Sequence, residues 1–270
     1  MGKLYVVGTP IGNLEDITLR ALRVLREVSL IAAEDTRRAR VLTSRYDIDT
    51  PTTSYFEGNK RLKLDAVLGA LVDGDVALIS EAGMPGLSDP GFELIQVAIE
   101  RGYEVVPVPG PTAPVTALVV SGLPTDAFLF LGYLPRRQSR RRRLLDSVAR
   151  TEHTIVAFET PHRLLESLTD VRESLGDRPL ALCREMTKVH EEIWRGTVSE
   201  AQTAFTDREV RGEFTLVIGG VTDEEQRWDE EEVRAALRDL LAKGVRRPDA
   251  AKRVAELSGW GRSAVYRLGL

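Results

Sequence analysis

Asp75-Val76-Ala77-Leu78-Ile79-Ser80-Glu81-Ala82-Gly83-Met84-Pro85-Gly86-Leu87-Ser88-Asp89-Pro90-Gly91 is the stretch that decides the fold. Its apolar run, residues 76–79, is long enough for one buried strand and too short for a helix. The run opens into a loop carrying Gly83, Pro85 and Gly86. Asp89 reads as an N-cap and Pro90 as the first helical position of an amphipathic helix over residues 92–99. Strand, glycine-rich loop and helix start therefore follow one another. Such a loop leaves backbone N–H and C=O groups free, and a glycine without Cβ lets a ligand come close.

Two more strand ends carry the same kind of loop. Residues 4–7 run into Gly8-Thr9-Pro10-Ile11-Gly12-Asn13-Leu14, and residues 105–108 into Pro109-Gly110-Pro111-Thr112-Ala113-Pro114. Ligands of open α/β sheets bind outside the carboxyl ends of the strands, so three such loops can converge on one molecule. The chain has neither G-x-x-x-x-G-K-[ST] nor G-x-G-x-x-G, which argues against a P-loop nucleotidase and a dinucleotide-binding Rossmann enzyme. Residues 1–122 alternate strands (4–7, 30–33, 76–79, 105–108) with helices (17–27, near 60–72, 92–99, 115–120), the pattern of a parallel sheet. Residues 123–222 change rhythm. Strands are expected there at 128–132, 154–158, 180–184, 191–195 and 213–218, with helices at 140–149, 163–175 and 199–205. The close pair 180–184 and 191–195 suggests a hairpin and a mixed sheet. Residues 223–270 form an acidic linker and a helix-turn-helix-like tail, with Gly259 at its turn.

Six ordered motifs carry a resemblance. They are residues 8–14, Ala33-Glu34-Asp35-Thr36-Arg37, residues 80–91, Pro109-Gly110-Pro111-Thr112, Tyr133-Leu134-Pro135-Arg136 and Arg184-Glu185-Met186-Thr187-Lys188. Across about residues 3–220 the chain resembles the ribosomal RNA small subunit methyltransferase I family of the tetrapyrrole methylase superfamily. The resemblance implies two α/β domains of tetrapyrrole-methylase type with a cofactor cleft between them, plus a small C-terminal helical tail. It implies an S-adenosyl-L-methionine-dependent enzyme that methylates the ribose 2′-hydroxyl of a cytidine in the decoding region of small-subunit ribosomal RNA. Carried over motif by motif, the cofactor would meet Pro10, Gly83, Met84, Pro85, Leu87, Ser88, Thr112 and Ala113 from the first domain, and Phe158, Met186 and Thr215 from the second. Superfamily members often have Gly-Asp-Pro where this chain has Gly83-Met84-Pro85, so contact there falls to the backbone. The resemblance also implies a homodimer.

A formal net charge of −4 is unhelpful to an RNA-binding protein, because Lys and Arg contacts to phosphate dominate that affinity. The positive charge is concentrated instead. Six arginines occupy the eight positions 136–143: Arg136, Arg137, Arg140, Arg141, Arg142 and Arg143. If Ser139 caps a helix starting at Arg140, those cations crowd the positive end of its dipole, and RNA phosphates are the expected partner. Arg37 is a further candidate phosphate clamp, and the expected partner is small-subunit ribosomal RNA, free or in the assembled small subunit. The proton acceptor is sought among Glu34 and Asp35 after the strand 30–33 and Lys188 after the strand 180–184, each with a structural reading: a cap at Asp35, an Arg37–Glu34 pair, an exposed loop cation at Lys188. Cys183, the single cysteine, lies in an apolar run and reads as a small buried side chain. Three scattered histidines suggest no zinc site, and no apolar run approaches a membrane span. The short N-terminal strand does not resemble a signal peptide, so the cytoplasm is the expected compartment. Two other classes remain: a relative acting on a tetrapyrrole or other small acceptor, which has no need of six clustered arginines, and a non-catalytic RNA-binding module, which has no need of three strand-end loops.

Overall fold

In the computed structural model, described over residues 2–56, 58–209, 211–221, 228 and 230–268, the chain forms two five-stranded sheets and a helical tail. The first sheet is parallel throughout. It contains β1 (Lys3–Val7), β2 (Leu30–Ala33), β3 (Thr52–Ser54), β4 (Val76–Ile79) and β5 (Glu104–Val108), in the order β3-β2-β4-β1-β5. Parallel strands are covered on both faces and so read as unbroken apolar runs. All four residues of β4 are buried. On one face, α1 (Leu19–Glu27) and α2 (Thr36–Arg45) pack Leu22, Leu25 and Leu42 against Ile31 and Ile79. On the other, α3 (Lys60–Asp73) and α4 (Phe92–Glu100) pack Val67, Leu71 and Leu94 against Leu4 and Leu78.

The second sheet is mixed, as the close strand pair implied. It contains β6 (Phe128–Tyr133), β7 (Thr154–Glu159), β8 (Pro179–Arg184), β9 (Glu192–Thr197) and β10 (Phe214–Ile218) in the order β6-β7-β10-β8-β9. Only β6 and β7 run parallel, and β8 and β9 form the hairpin. One face is covered by α6 (Gln138–Ser147), α7 (Leu164–Leu175) and α8 (Val198–Thr206), through Leu145, Leu168 and Phe205. The other is covered by α5 (Ala113–Ser121), whose Ala117 and Leu118 pack on Val156, Ala181 and Val217. Helix α5 was assigned to the first domain by sequence, yet it packs on the second sheet. The crossing between the layers is thus the loop 109–112, which carries the third Gly/Pro motif. In the tail, α9 (Glu230–Ala242), α10 (Arg247–Ser258) and α11 (Arg262–Leu268) enclose Val233, Leu237, Val254 and Val265. Most of the acidic run 223–232 lies outside the described residues.

At two helices the cap differs from expectation. Helix α4 begins at Phe92 behind Gly91 at φ +135°, so Asp89 and Pro90 belong to the loop. Helix α6 begins at Gln138 with Arg137 as its N-cap, which places Ser139 inside the first turn rather than at the cap. No side chain caps α6.

Candidate active site

The three Gly/Pro loops meet at the carboxyl ends of β1, β4 and β5. Thr9 and Gly83 exchange two backbone hydrogen bonds, of 2.9 and 3.1 Å. Gly8 lies against Gly110 so closely that a Cβ on Gly8 would come within 2.8 Å of the Gly110 backbone, where nothing can yield. This contact requires glycine at both positions and locks the β1 loop to the β5 loop. Gly83 holds φ +81°, and Ser88, with φ +66°, is one of four non-glycine residues at positive φ among the described residues. Two others, Glu185 and Thr187, lie in the loop after β8, which presses on Gly12: the Thr187 hydroxyl accepts the Asn13 N–H at 2.9 Å. Backbone strain of this kind persists where packing over-determines the chain, often at functional sites.

A cavity of about 360 Å³ lies between the two layers. Eight of the expected cofactor residues line it: Gly83, Met84, Leu87, Ser88, Thr112 and Ala113 on one side, Phe158 and Thr215 on the other. Pro10 lines an adjoining cavity of about 270 Å³, which shares Ile11, Arg38, Glu81, Ala82 and Glu213 with the first. Pro85 and Met186 line neither. Pro85 is buried under the loop, and Met186 packs in the core beneath α5. The cavity walls combine free loop backbone and apolar surface with carboxylates, and carry Arg38 as their cation. That composition suits S-adenosylmethionine: the backbone and hydroxyls can satisfy its polar groups, Phe158 and Tyr133 offer ring surface, and acidic walls favour a sulfonium over a phosphate.

The candidate proton acceptors part company. Asp35 caps α2, accepting the Arg37 N–H at 2.8 Å, and its carboxylate pairs with the Arg37 guanidinium at 2.7 Å. Those bonds hold its pKa down to about 2, leaving a poor base. They also occupy Arg37, which pairs with Asp35 rather than with Glu34. Lys188 is half-buried rather than exposed, bound to Glu185 at 2.9 Å and Glu213 at 3.0 Å. Burial opposes its charge, but the two carboxylates outweigh that and keep the ammonium protonated above its usual range. Glu34 does face the cavity, accepting the Glu81 N–H at 3.3 Å, and burial pushes its carboxyl up. The sequence reading passed over Asp89, Glu81, Glu213, Arg38 and Tyr133, all of which line the cavity. Asp89 is pushed up to about 7, first by burial and then by the charge of Glu34.

The arginine run divides in the same way. Arg141 is fully buried, its guanidinium meeting Asp170 at 2.6 Å and Glu166 at 2.7 Å. Arg142 reaches the other oxygen of Asp170 at 2.7 Å and Glu173 at 2.6 Å. The assignment of Arg141 to RNA is therefore wrong: it is a core ion pair between α6 and α7, out of reach of any phosphate. Arg142 is largely committed to the same network. Arg136, Arg137, Arg140 and Arg143 are exposed. Cys183 is buried as expected, and its thiol is pushed up to about 11 by burial.

Two α/β layers with glycine-locked loops opening on a cleft between them define a methylase of the tetrapyrrole type. The chain belongs to the family of tetrapyrrole (corrin/porphyrin) methylases, whose model matches residues 3–202. Among its relatives, the ribosomal RNA small subunit methyltransferase I of Synechocystis is 46% identical over the whole chain and 98% of its own length. The protein of that name from Thermotoga maritima is 51% identical, over 82% of this chain and 99% of its own. Among solved structures, a cobalt precorrin-4 methyltransferase of cobalamin biosynthesis superposes with a TM-score of 0.63 at 18% identity, over 80% of this chain and 94% of its own. Uroporphyrin-III C-methyltransferase of Thermus thermophilus, complexed with S-adenosylhomocysteine, gives 0.58 at 22%, over 81% and 97%. Such distant structures bear on the fold.

Proposed function

We propose that this protein is an S-adenosylmethionine-dependent methyltransferase that methylates the ribose 2′-hydroxyl of a cytidine in the decoding region of small-subunit ribosomal RNA. The observation that carries the reading is near-full-length identity of 46% to a ribosomal RNA small subunit methyltransferase I, together with convergence of all three Gly/Pro loops on one cavity. When bound, S-adenosylmethionine supplies an electrophilic methyl group. The residues proposed to hold it are Gly83, Met84, Leu87, Ser88, Thr112, Ala113, Phe158 and Thr215, with Pro10 at the edge of the adjoining cavity. Their role is to fix the acceptor oxygen's approach and to keep competing water out. The exposed Arg136, Arg137, Arg140 and Arg143 are proposed to grip RNA phosphates at the cleft rim. Helix α5 exposes Val115 and Val119, and α4 exposes Phe92 and Ile99, apolar side chains suited to cover by a second copy of the chain in a homodimer.

Ribose methylation of small-subunit RNA, mapped in cells with and without this protein and then after adding it to unmethylated subunits with S-adenosylmethionine, tests the reading. One cytidine 2′-O-methyl group should vanish in the deletion strain and return in vitro. An unchanged map would refute it.

A further inference from the structure

Loss of the 2′-hydroxyl proton must accompany methyl transfer, and of the acceptors expected from sequence, Asp35 and Lys188 are committed elsewhere. Four carboxylates line the cavity: Glu34, Glu81, Asp89 and Glu213. Two are paired with cations and a third accepts a backbone N–H. Glu34 accepts the Glu81 N–H at 3.3 Å, Glu81 pairs with Arg38 at 3.2 Å, and Glu213 pairs with Lys188 at 3.0 Å. Asp89 has no cation or backbone N–H partner among the described residues, only the Ser80 hydroxyl. It follows Ser88, whose left-handed backbone turns the chain at the end of the cofactor loop. Across the cleft, Gly132 comes so near that a Cβ there would lie 3.1 Å from the Ser88 hydroxyl, and Tyr133 beside it forms the opposite wall.

We propose that Asp89 is the catalytic residue that accepts the proton of the ribose 2′-hydroxyl, an inference that rests on the methyl-transfer reading above. In that step the O–H bond breaks and its proton passes to the Asp89 carboxylate. The oxygen lone pair forms the new O–CH3 bond, and the electron pair of the broken C–S bond stays on sulfur as a neutral thioether. The product carboxylic acid then returns its proton to water.

The surroundings suit the task. Burial and the charges of Glu34, Glu81 and Glu213 raise the carboxyl to about 7, with Ser80 pulling the other way. Arg38 is held by Glu81, and burial holds the facing Tyr133 phenol protonated above its usual range. A base with a pKa near the working pH combines a populated anion with real proton affinity, the optimum for general-base catalysis. The ionised form grows as pH rises, so turnover should climb tenfold per unit below pH 7 and level off above it.

The test pairs Asp89→Asn with Asp89→Glu and includes two readings taken without turnover. In the protein alone, 13C NMR of labelled aspartate should show one carboxyl titrating near 7 that disappears in Asp89→Asn. Calorimetry should give S-adenosylmethionine affinities within about twofold of each other for wild type and Asp89→Asn, which also shows that the variant is folded. On small subunits, Asp89→Asn should lose roughly 10²- to 10⁴-fold in kcat together with the pH-dependent climb, and Asp89→Glu should recover part of both. An Asp89 carboxyl titrating near 4, an unchanged pH profile in Asp89→Asn, or a cofactor affinity that falls as far as kcat would each overturn the assignment. A wild-type protein that binds cofactor and shows the raised titration, yet methylates no small-subunit RNA, would refute the substrate reading instead.

Discussion

Arg141→Met isolates the buried network, because methionine keeps much of the arginine's volume and none of its charge. In the wild type, Asp170 is fully buried with four partners: the Arg141 Nε and Nη2 on one oxygen, and the Arg142 Nε at 2.7 Å and Gln138 Nε2 at 3.0 Å on the other. The substitution strips one oxygen of Asp170 and leaves a half-satisfied buried carboxylate. Breaking a buried pair from one side costs about 3–5 kcal/mol, and because Arg142 and Gln138 remain, the lower end applies, about 3 kcal/mol. Arg140→Gln, one residue away and exposed, should stay within roughly 0.5 kcal/mol. Urea unfolding at pH 7 followed by tryptophan fluorescence includes Trp194, which packs on Phe205 in the same core, and with Trp228 and Trp260 replaced by Phe it reads this domain alone. The sign with pH follows from Asp170: burial opposes its charge, but Arg142, Gln138 and Arg141 outweigh it and hold the carboxyl below its ordinary 3.8. Its contribution is therefore complete above pH 3.8 and lost as pH falls through the lower folded value. The double variant Arg141→Met/Asp170→Leu should recover most of the loss, since a matched apolar pair leaves no orphaned charge. A cost below about 1 kcal/mol, or weakened RNA binding by an Arg141→Met protein of unchanged stability, would refute this account.

Replacing the four exposed arginines, Arg136, Arg137, Arg140 and Arg143, by Gln should weaken RNA binding and flatten the slope of log affinity against log salt by roughly 0.7 to 0.9 for each lost phosphate contact. Cofactor affinity should not change, and an unaltered slope would return these residues to the status of solvated surface. For assembly, light scattering at low micromolar concentration should report twice the mass of one chain, and Val115→Asp with Val119→Asp should halve it. A wild type that stays at the mass of one chain as concentration rises would rule the dimer out.

The first sheet was legible because its strands are covered on both faces and announce themselves as apolar runs ended by Gly and Pro. Strand β3 was not. It is three residues, Thr52–Ser54, on the edge of the sheet, where no apolar face is demanded. The cofactor loops were legible from glycine and proline alone, but the work of Asp89 was not, because Ser-Asp-Pro before an apolar helix has the same local chemistry whether the aspartate caps the helix or faces a cleft. What decides is Gly91, whose φ of +135° takes over the turn into α4. The arginine run misled for a related reason: in sequence six guanidiniums look alike, and the partners of Arg141 lie 25 and 29 residues away. A signal was present on the other helix. Glu166, Asp170 and Glu173 fall at i, i+4 and i+7 along α7, an acidic stripe matched to the one face of α6 that turns inward.

Sorting the arginines by burial also removes the difficulty raised by a net charge of −4. Acidic walls would repel RNA phosphates from the cleft, yet the reading requires one ribose to enter it. The two demands are compatible if charge of each sign acts at its own radius. Tyr133 lines the cavity, and Arg136 follows three residues later and exposed, so at most about 11 Å of chain separates the acidic wall from the first free guanidinium. At physiological salt, charges more than about 8 Å apart in solvent are largely screened from each other. A phosphate held at the rim by Arg136 or Arg137, farther than that from Glu34, Asp89 and Glu213, would feel little of them, while the uncharged ribose carries no penalty for entering among them. Glu34, Glu81 and Glu213 favour the sulfonium and also raise Asp89, the carboxylate left with neither a cation nor a backbone N–H among the described residues. An RNA backbone bound outside and a neutral sugar presented inside require basic and acidic surfaces in this order, and the overall charge of the chain is then immaterial to the affinity.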